Sequence, residues 1–298
     1  MATDVWDEAS WLPRREAHRA RVDGWLVEHR TRRSRGGKHP VEDFLFEYYT
    51  FRPYQLRRWH PGHGVTLSGQ AAEELLSWPG YVRVDQGVAL DTAALVAARS
   101  NTIAWVHDLL LSTAGRPGNF GCFGLHEWAM VYRHAADQRR HAEWPLRLTP
   151  DRVAEVVDER GVRCTHFDAF RFFTPAARPL NLVQPTRASQ PQLEQPGCLH
   201  ANMDLYKHAY KLSPLVPSDL VADAFALARD IRALDMRASP YDLSALGLDP
   251  VPVETADGRV AYAQAQRTFS TRSVSLRQQL IEVLQPILTP NEEHPRSA

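Results

Sequence analysis

The apolar residues of this chain recur at the 3.6-residue spacing of an α-helix, in segments that glycine and proline separate. Phe44, Leu45 and Tyr48, for example, fall on one face of such a helix. The same spacing predicts helices over residues 11–35, 40–49, 70–77, 91–111, 125–141, 149–161, 200–212, 218–237 and 273–288. Few segments alternate as strands do, so we expect a mainly α-helical fold with small β-hairpins, an α+β arrangement that forms a compact helical globule.

Strand-like patterns are confined to three short segments. Residues 81–90 predict a hairpin, and residues 250–266 predict a second one that turns at an Asp-Gly pair. Residues 162–173 alternate partly and predict a strand. Residues 174–197 are rich in proline, glutamine and asparagine, which predicts a long loop that crosses the surface or covers a cleft.

The length of 298 residues fits one globular unit over residues 1–298. A division into two parts stays open, with a helical part over 1–148 and an α+β part over 149–290. Residues 289–298 are polar, and we expect them to form a mobile tail.

Composition limits the class of protein. Basic and acidic residues number 35 each, so the chain as a whole lacks the positive excess that is typical of nucleic-acid-binding proteins. No apolar run approaches the roughly 18 residues of a membrane span. The acidic start of the sequence lacks the basic and apolar regions of a signal peptide, and three cysteines do not suit a disulfide framework. We therefore expect a cytoplasmic protein without a membrane partner.

Histidine and aspartate recur at helical spacing in the stretch C-L-H-A-N-M-D-L-Y-K-H. His200, Asp204 and His208 stand four residues apart and predict one polar helix face. Two imidazoles and a carboxylate are a ligand set for zinc or non-haem iron. The alternative is a polar face in which Asp204 pairs with His208 or Lys207. The stretch and the residues just after it also hold Lys207 and Lys211, two of the chain's three lysines, which hints at a specific need for ammonium groups there.

Each cysteine closely precedes a histidine. The two C-x-H pairs, Cys164 with His166 and Cys198 with His200, can supply a structural zinc site of two cysteines and two histidines. The alternative is that the cysteines are small buried side chains.

A glycine-rich loop leads into a segment with His126 and Glu127 at its start. A buried glutamate at this position can act as a general base on water, with His126 assisting it. The alternative is a carboxylate that only complements the positive end of the helix dipole.

A third candidate is the basic and aromatic stretch F-R-P-Y-Q-L-R-R-W-H. Arginines of this kind contact phosphates, and a tyrosine or tryptophan can stack on a base. The nucleic-acid-binding residues predicted on this basis are Arg52, Tyr54, Arg57, Arg58 and Trp59. The alternative is a solvated surface whose arginines pair with nearby carboxylates.

Four segments carry a resemblance to a known family. They are H-P-V-E-D-F-L-F-E-Y-Y, R-P-Y-Q-L-R-R-W-H-P-G, G-L-H-E-W-A-M-V-Y-R and C-L-H-A-N-M-D-L-Y-K. Over nearly its whole length the chain resembles a family of bacterial proteins often labelled 3-methyladenine DNA glycosylase. The resemblance implies a DNA-repair hydrolase that cleaves the N-glycosidic bond of an alkylated base.

Three functional hypotheses follow. In the first, Glu127 or Asp204 handles water, His126 assists, and the arginine-aromatic stretch holds DNA. In the second, His200, Asp204 and His208 bind zinc or iron in an enzyme that acts on a small-molecule substrate. In the third, the chain is a DNA-binding protein without catalytic activity.

Overall fold

The computed structural model describes residues 4–134 and 143–288 of the chain. Helices make up most of these residues, and one small sheet accompanies them, so the predicted mainly α-helical fold with a small β part is confirmed. The α-helices are α1 (Glu8–Ser34), α2 (Phe44–Tyr48), α3 (Pro53–Arg57), α4 (Thr92–Ala114), α5 (Leu125–Ala129), α6 (Pro150–Arg160), α7 (Phe167–Phe170), α8 (Gln190–Leu193), α9 (Leu199–Lys211), α10 (Ser218–Ala238) and α11 (Ala256–Leu288). Short 3₁₀ turns occupy Gln70–Ser77, Arg178–Leu180 and Ser244–Leu246.

Local sequence signals place the ends of several helices. The Asp91 side chain caps α4 by accepting a 2.9 Å hydrogen bond from the Ala94 amide. Thr149 caps α6 in the same way, Pro150 occupies the first turn, and Gly161 ends the helix. The predicted helices at 11–35, 91–111, 149–161, 200–212 and 218–237 are confirmed, with ends that differ by a few residues.

The sheet has four strands in the order β1-β2-β4-β3. They are β1 (Asp4–Trp6), β2 (Val65–Leu67), β3 (Tyr81–Val84) and β4 (Gly87–Leu90). Strands β3 and β4 form the predicted hairpin, with Tyr81 opposite Leu90. The sheet covers a small core of its own, in which the rings of Trp11 and Trp59 stack at 6.1 Å between centroids.

Helix α9 lies at the centre of the larger, helical core. It packs against α10 and α11, and α11 also packs against α4. Ten of its residues are buried, and they include the polar residues Asn202, Asp204 and His208. Because α9 is enclosed on nearly all sides, its polar side chains must find partners inside the protein.

The structure contradicts two of the strand predictions. Residues 250–266 do not form a hairpin, because α11 begins at Ala256 and continues without a break. The Thr255 hydroxyl accepts a 3.0 Å hydrogen bond from the Gly258 amide, so the Asp-Gly pair lies in the first helical turn. Residues 162–173 form α7 and one isolated bridge between Val162 and Asn181 instead of a strand.

Two predicted helices are shorter than expected. The helix predicted over 40–49 begins only at Phe44. The one predicted over 125–141 ends at Ala129 and is followed by turns to residue 133. Residues 135–141 lie outside the described ranges, as does the predicted tail 289–298. Residues 174–197 are largely irregular as predicted, apart from one 3₁₀ turn and α8. None of the described helices is both long and apolar enough to cross a membrane.

Candidate functional site

Backbone geometry in the glycine-rich loop positions the first two site residues. Phe123 has a φ of +50° and Gly124 has a φ of +71°. Both lie in the left-handed region of backbone conformation, which residues other than glycine rarely adopt. Gly124 lies against the Tyr262 ring, which a Cβ atom would meet at 3.2 Å. This turn directs α5 inward, so His126 and Glu127 are both buried despite their charge.

His126 forms a buried ion pair with Asp235 of α10. The distance between His126 Nε2 and Asp235 Oδ1 is 2.7 Å, and neither side chain is more than 3% exposed. Burial opposes charge on the imidazole, but the contact with Asp235 outweighs it and raises the pKa of His126 well above its usual value. The same contact holds the pKa of Asp235 below its usual range although burial alone would raise it.

Arg232 joins Glu127 to this pair. Its Nη1 atom lies 3.0 Å from Glu127 Oε1 and 3.1 Å from Asp235 Oδ2. The guanidinium also lies over the Phe44 ring at 3.8 Å from the centroid. Burial raises the pKa of Glu127, and the charge of Arg232 only partly offsets that effect. Glu127 is thus a buried carboxylate with a raised pKa, as a general base requires.

His200 of α9 lies between two other histidines. Its ring centroid is 4.4 Å from that of His126 and 5.4 Å from that of His166. Burial and the charge of His126 lower the pKa of His200 well below its usual value, so the ring is neutral. The ring forms no hydrogen bond with the residues that the structure describes, which leaves its nitrogen lone pair available to a ligand.

His126, His200 and Asp235 form a candidate metal centre. The donor atoms of these three residues all lie within 4.8 Å of one another, and no other group of three or more such residues this close occurs in residues 4–134 and 143–288. The structure therefore places His200 of the predicted ligand set in a three-donor cluster, but with different partners from those that the sequence spacing indicated.

Asp204 binds other partners. It accepts a 2.9 Å hydrogen bond from Tyr49 Oη, lies 3.2 Å from His166 Nε2 and pairs with Lys207. Although burial opposes its charge, Lys207 and His166 hold the pKa of Asp204 well below its usual value. The pairing of Asp204 with Lys207 is the alternative that the sequence left open.

His208 is two turns away from His200 and faces Trp105 on α4, with ring centroids 6.0 Å apart. Both of its ring nitrogens are buried without a hydrogen-bond partner. His200, Asp204 and His208 share one helix, but each step of four residues moves about 6 Å along its axis. The three side chains therefore do not converge on one point.

A small cavity of about 20 Å³, roughly the space of one water molecule, lies beside the candidate metal centre. The predicted site residues Glu127, His200 and Asp204 all line it. Much of the rest of its wall consists of aromatic and thioether side chains, which include Phe44, Tyr48, Met130, Phe172 and Met203. Polar groups from α7 and α10 also line it. The cavity thus combines a largely apolar wall with a few convergent polar groups.

All three cysteines line a second cavity of about 10 Å³, and His126 and His200 line it as well. Cys122 Sγ lies 3.8 Å from His126 Nδ1, on the ring edge opposite Asp235. Burial raises the pKa of the Cys164 and Cys198 thiols, which keeps them protonated. His166 points to Asp204 instead, so the two predicted C-x-H pairs do not form one four-ligand group.

The five predicted nucleic-acid-binding residues differ in their exposure. Arg57 is paired with Asp23 at 2.9 Å, and Trp59 is buried against Trp11, where its ring is not open to a base. Arg52 and Tyr54 are exposed. Arg58 is exposed as well and lies over the rings of Tyr54 and Trp78, each at 5.3 Å.

Sequence reasoning missed Asp235 and Arg232 as site residues, and it assigned His166 only to a C-x-H zinc pair. The signal for the first two was present, because both interrupt the apolar face of the helix predicted over 218–237. Arg232 and Asp235 are 1% and 0% exposed, whereas a solvated helix face would expose them.

Comparison of the chain with models of known protein families, with curated proteins and with solved structures found no match.

Proposed function

We propose that the chain is a metal-dependent enzyme acting on a small molecule, in which His126, His200 and Asp235 hold a zinc or iron ion. The observation that carries this proposal is the meeting of two imidazoles and a carboxylate from three separate helices, α5, α9 and α10, with donor atoms within 4.8 Å. Two histidines with one carboxylate are a ligand set of catalytic zinc and of non-haem iron. Three protein ligands leave further positions for water and substrate.

The donor spacing suits such an ion. At a metal–ligand distance of ~2.1 Å, tetrahedral ligands lie about 3.4 Å apart. Two distances lie on either side of that value. His126 Nε2 and Asp235 Oδ1 are 2.7 Å apart, and all three donor atoms lie within 4.8 Å of one another. Small side-chain rotations therefore suffice to accommodate the ion.

Neighbouring groups orient the donors. Arg232 binds Asp235 Oδ2, which leaves Oδ1 to face His126 and the ion. Contacts of this kind fix ligand orientation at metal sites. Glu127 and Asp235 also share the single guanidinium of Arg232, so the described residues place two buried carboxylates around one fixed cation. A divalent cation beside Asp235 would take the place of the His126 proton, because an imidazole that binds a metal is neutral.

Metal-assisted hydrolysis is the reaction class that best fits this set of residues. The ion would act as a Lewis acid. Glu127, buried in the cavity wall with a raised pKa, would remove a proton from water as the general base. Phe44, Tyr48 and Phe172 would hold an apolar or flat part of the substrate.

His200→Gln tests the metal site with the least risk to the fold, because the His200 ring has no hydrogen bond to the described residues. We expect elemental mass spectrometry to find about one zinc or iron per wild-type chain. We expect the variant to bind the metal at least ~10-fold more weakly. His208→Gln is the matched control on the same helix, and it keeps its metal. Equal metal content in wild type and both variants would refute the site, provided that circular dichroism shows folded proteins.

A second candidate function is hydrolysis of an N-glycosidic bond, as in a 3-methyladenine DNA glycosylase. The observation that favours it is that Glu127 and Asp204 line one cavity with aromatic walls. Glycoside hydrolysis uses carboxylates in this way, and an extruded base needs aromatic surfaces to stack on. The exposed Arg58 and Tyr54 would then contact the DNA backbone.

Glu127→Gln separates this candidate from a DNA-binding protein without activity. If the chain is a glycosylase, the wild type releases methylated base from alkylated duplex DNA, and the variant loses at least ~100-fold of that rate. Asp108→Asn changes an exposed carboxylate on α4 and serves as the control. Salt-sensitive DNA binding without base release would favour the binding protein, and neither binding nor release would remove DNA as a partner.

A further inference from the structure

A basic cavity lies beside the C-terminal half of α9, whereas His200 of the candidate metal centre lies in the first turn of that helix. The cavity has a volume of about 430 Å³, and its cations are Arg187, Lys207 and Lys211. Two of the chain's three lysines therefore lie in one cavity, whereas arginine supplies nearly all other positive charge. Asp168 is the one carboxylate among its lining residues, and it is already paired with Lys207 at 3.1 Å.

Two of the three cations of this cavity have no ion-pair partner in the described part of the chain. Lys207 bonds Asp204 and Asp168, but Arg187 and Lys211 are in no ion pair there. Burial and the nearby charges of Lys207 and Arg187 lower the pKa of Lys211, which places the three cations in one local field. Like charges gathered in this way repel each other unless an anion joins them.

His208 is an independent indication of a missing ligand. It lines the same cavity and is only 2% exposed, yet both of its ring nitrogens lack a hydrogen-bond partner. Burial lowers the pKa of His208 to about 3, so the ring is neutral and has one N–H to donate. A buried polar group without a partner costs free energy, and a bound ion or ligand can supply that partner.

We propose that this cavity binds a phosphate group, with Arg187, Lys207 and Lys211 contacting its oxygens and His208 donating a hydrogen bond. With Asp204 counted, which pairs with Lys207, three cations and two carboxylates leave a net charge of +1 with His208 neutral, and this favours an anion. Arginine binds phosphate through two parallel N–H groups, and lysine binds it as a point charge. Trp105, which is 37% exposed at the cavity wall, offers a flat surface to an aromatic group esterified to the phosphate.

Calorimetric titration of the full-length protein with inorganic phosphate, at fixed ionic strength, tests the site. Lys211→Ala and Arg187→Ala remove exposed side chains, so the fold is retained. We expect each to weaken phosphate binding by about tenfold, because each removes a charge-assisted hydrogen bond. Lys38→Ala and Arg160→Ala are the matched controls at exposed positions elsewhere, and we expect changes below about twofold. Absence of phosphate binding, or equal losses in all four variants, overturns the proposal.

Two further variants separate this site from the candidate metal centre. His208→Gln weakens phosphate binding without loss of metal, and His200→Gln does the reverse. Phosphate binding that disappears in His200→Gln but persists in Lys211→Ala would place the anion on the metal and overturn the proposal. Failure of the metal site leaves the phosphate result unaffected, because the two cavities have separate variants.

Phenyl phosphate identifies the source of the phosphate group. If Trp105→Ala weakens the binding of phenyl phosphate but not that of inorganic phosphate, the result supports the site and assigns it to an aromatic phosphomonoester. Equal affinities of wild type and Trp105→Ala for both compounds also support the site and assign it to free phosphate or a non-aromatic ester.

Discussion

Arg232→Met is expected to lower the free energy of unfolding by about 3–5 kcal/mol, because it leaves two buried carboxylates without their shared cation. Arg232 is 1% exposed and bonds Glu127 at 3.0 Å and Asp235 at 3.1 Å. Methionine keeps much of the side-chain volume against the Phe44 ring, so the loss reports the charge more than the packing. Urea unfolding followed by circular dichroism measures the difference.

Arg229→Met is the control for this variant. Arg229 lies one turn earlier on α10 and pairs with Glu42 at 2.7 Å, but its side chain is 29% exposed. A pair that water reaches contributes less than about 1 kcal/mol. If the two variants lose similar amounts of unfolding free energy, the Glu127–Arg232–Asp235 network does not contribute the stability that we assign to it.

Gly258→Ala is the second variant with a large expected effect. A Cβ atom at this position would lie 1.9 Å from the Pro252 carbonyl oxygen and 2.4 Å from its carbon. The contact is with backbone, so no side-chain rotation relieves it, and the first turn of α11 must move away. We expect a loss of about 3 kcal/mol or more in the free energy of unfolding.

Gly24→Ala is the matched glycine substitution. Gly24 lies within α1, and nothing stands within 4 Å of its added Cβ. Alanine there should stabilise the protein by about 0.5–1 kcal/mol, since glycine disfavours a helix interior. If thermal unfolding shows that Gly258→Ala is as well tolerated as Gly24→Ala, then α11 does not approach Pro252 closely enough to exclude a side chain.

The same glycine explains why one sequence prediction was wrong. An Asp-Gly pair between apolar runs favours a hairpin when a residue with positive φ is needed. Gly258 serves a different purpose here, because it allows the chain before α11 to pass close to the helix. Close approach depends on a segment that local pattern does not reveal, whereas the caps Asp91 and Thr149 act within a few residues of the helices that they begin.

The candidate site shows the same division between local and long-range information. Helical spacing drew attention to His200 and Asp204, and the glycine-rich loop drew attention to His126 and Glu127. The structure brings these residues to one region, with Glu127, His200 and Asp204 around one cavity. Asp235 was missed because its contact with His126 spans 109 residues of sequence. Spacing on one helix shows which side chains share a face, but not which partner each one meets.

Anomalous X-ray diffraction from crystals of the metal-loaded protein would show whether His126, His200 and Asp235 bind an ion. We expect one peak at the zinc or iron edge, about 2.0–2.2 Å from nitrogen atoms of the two histidines and from an oxygen of Asp235. No peak at that position, or a peak bound instead by Asp204 or His208, would contradict the metal centre proposed here.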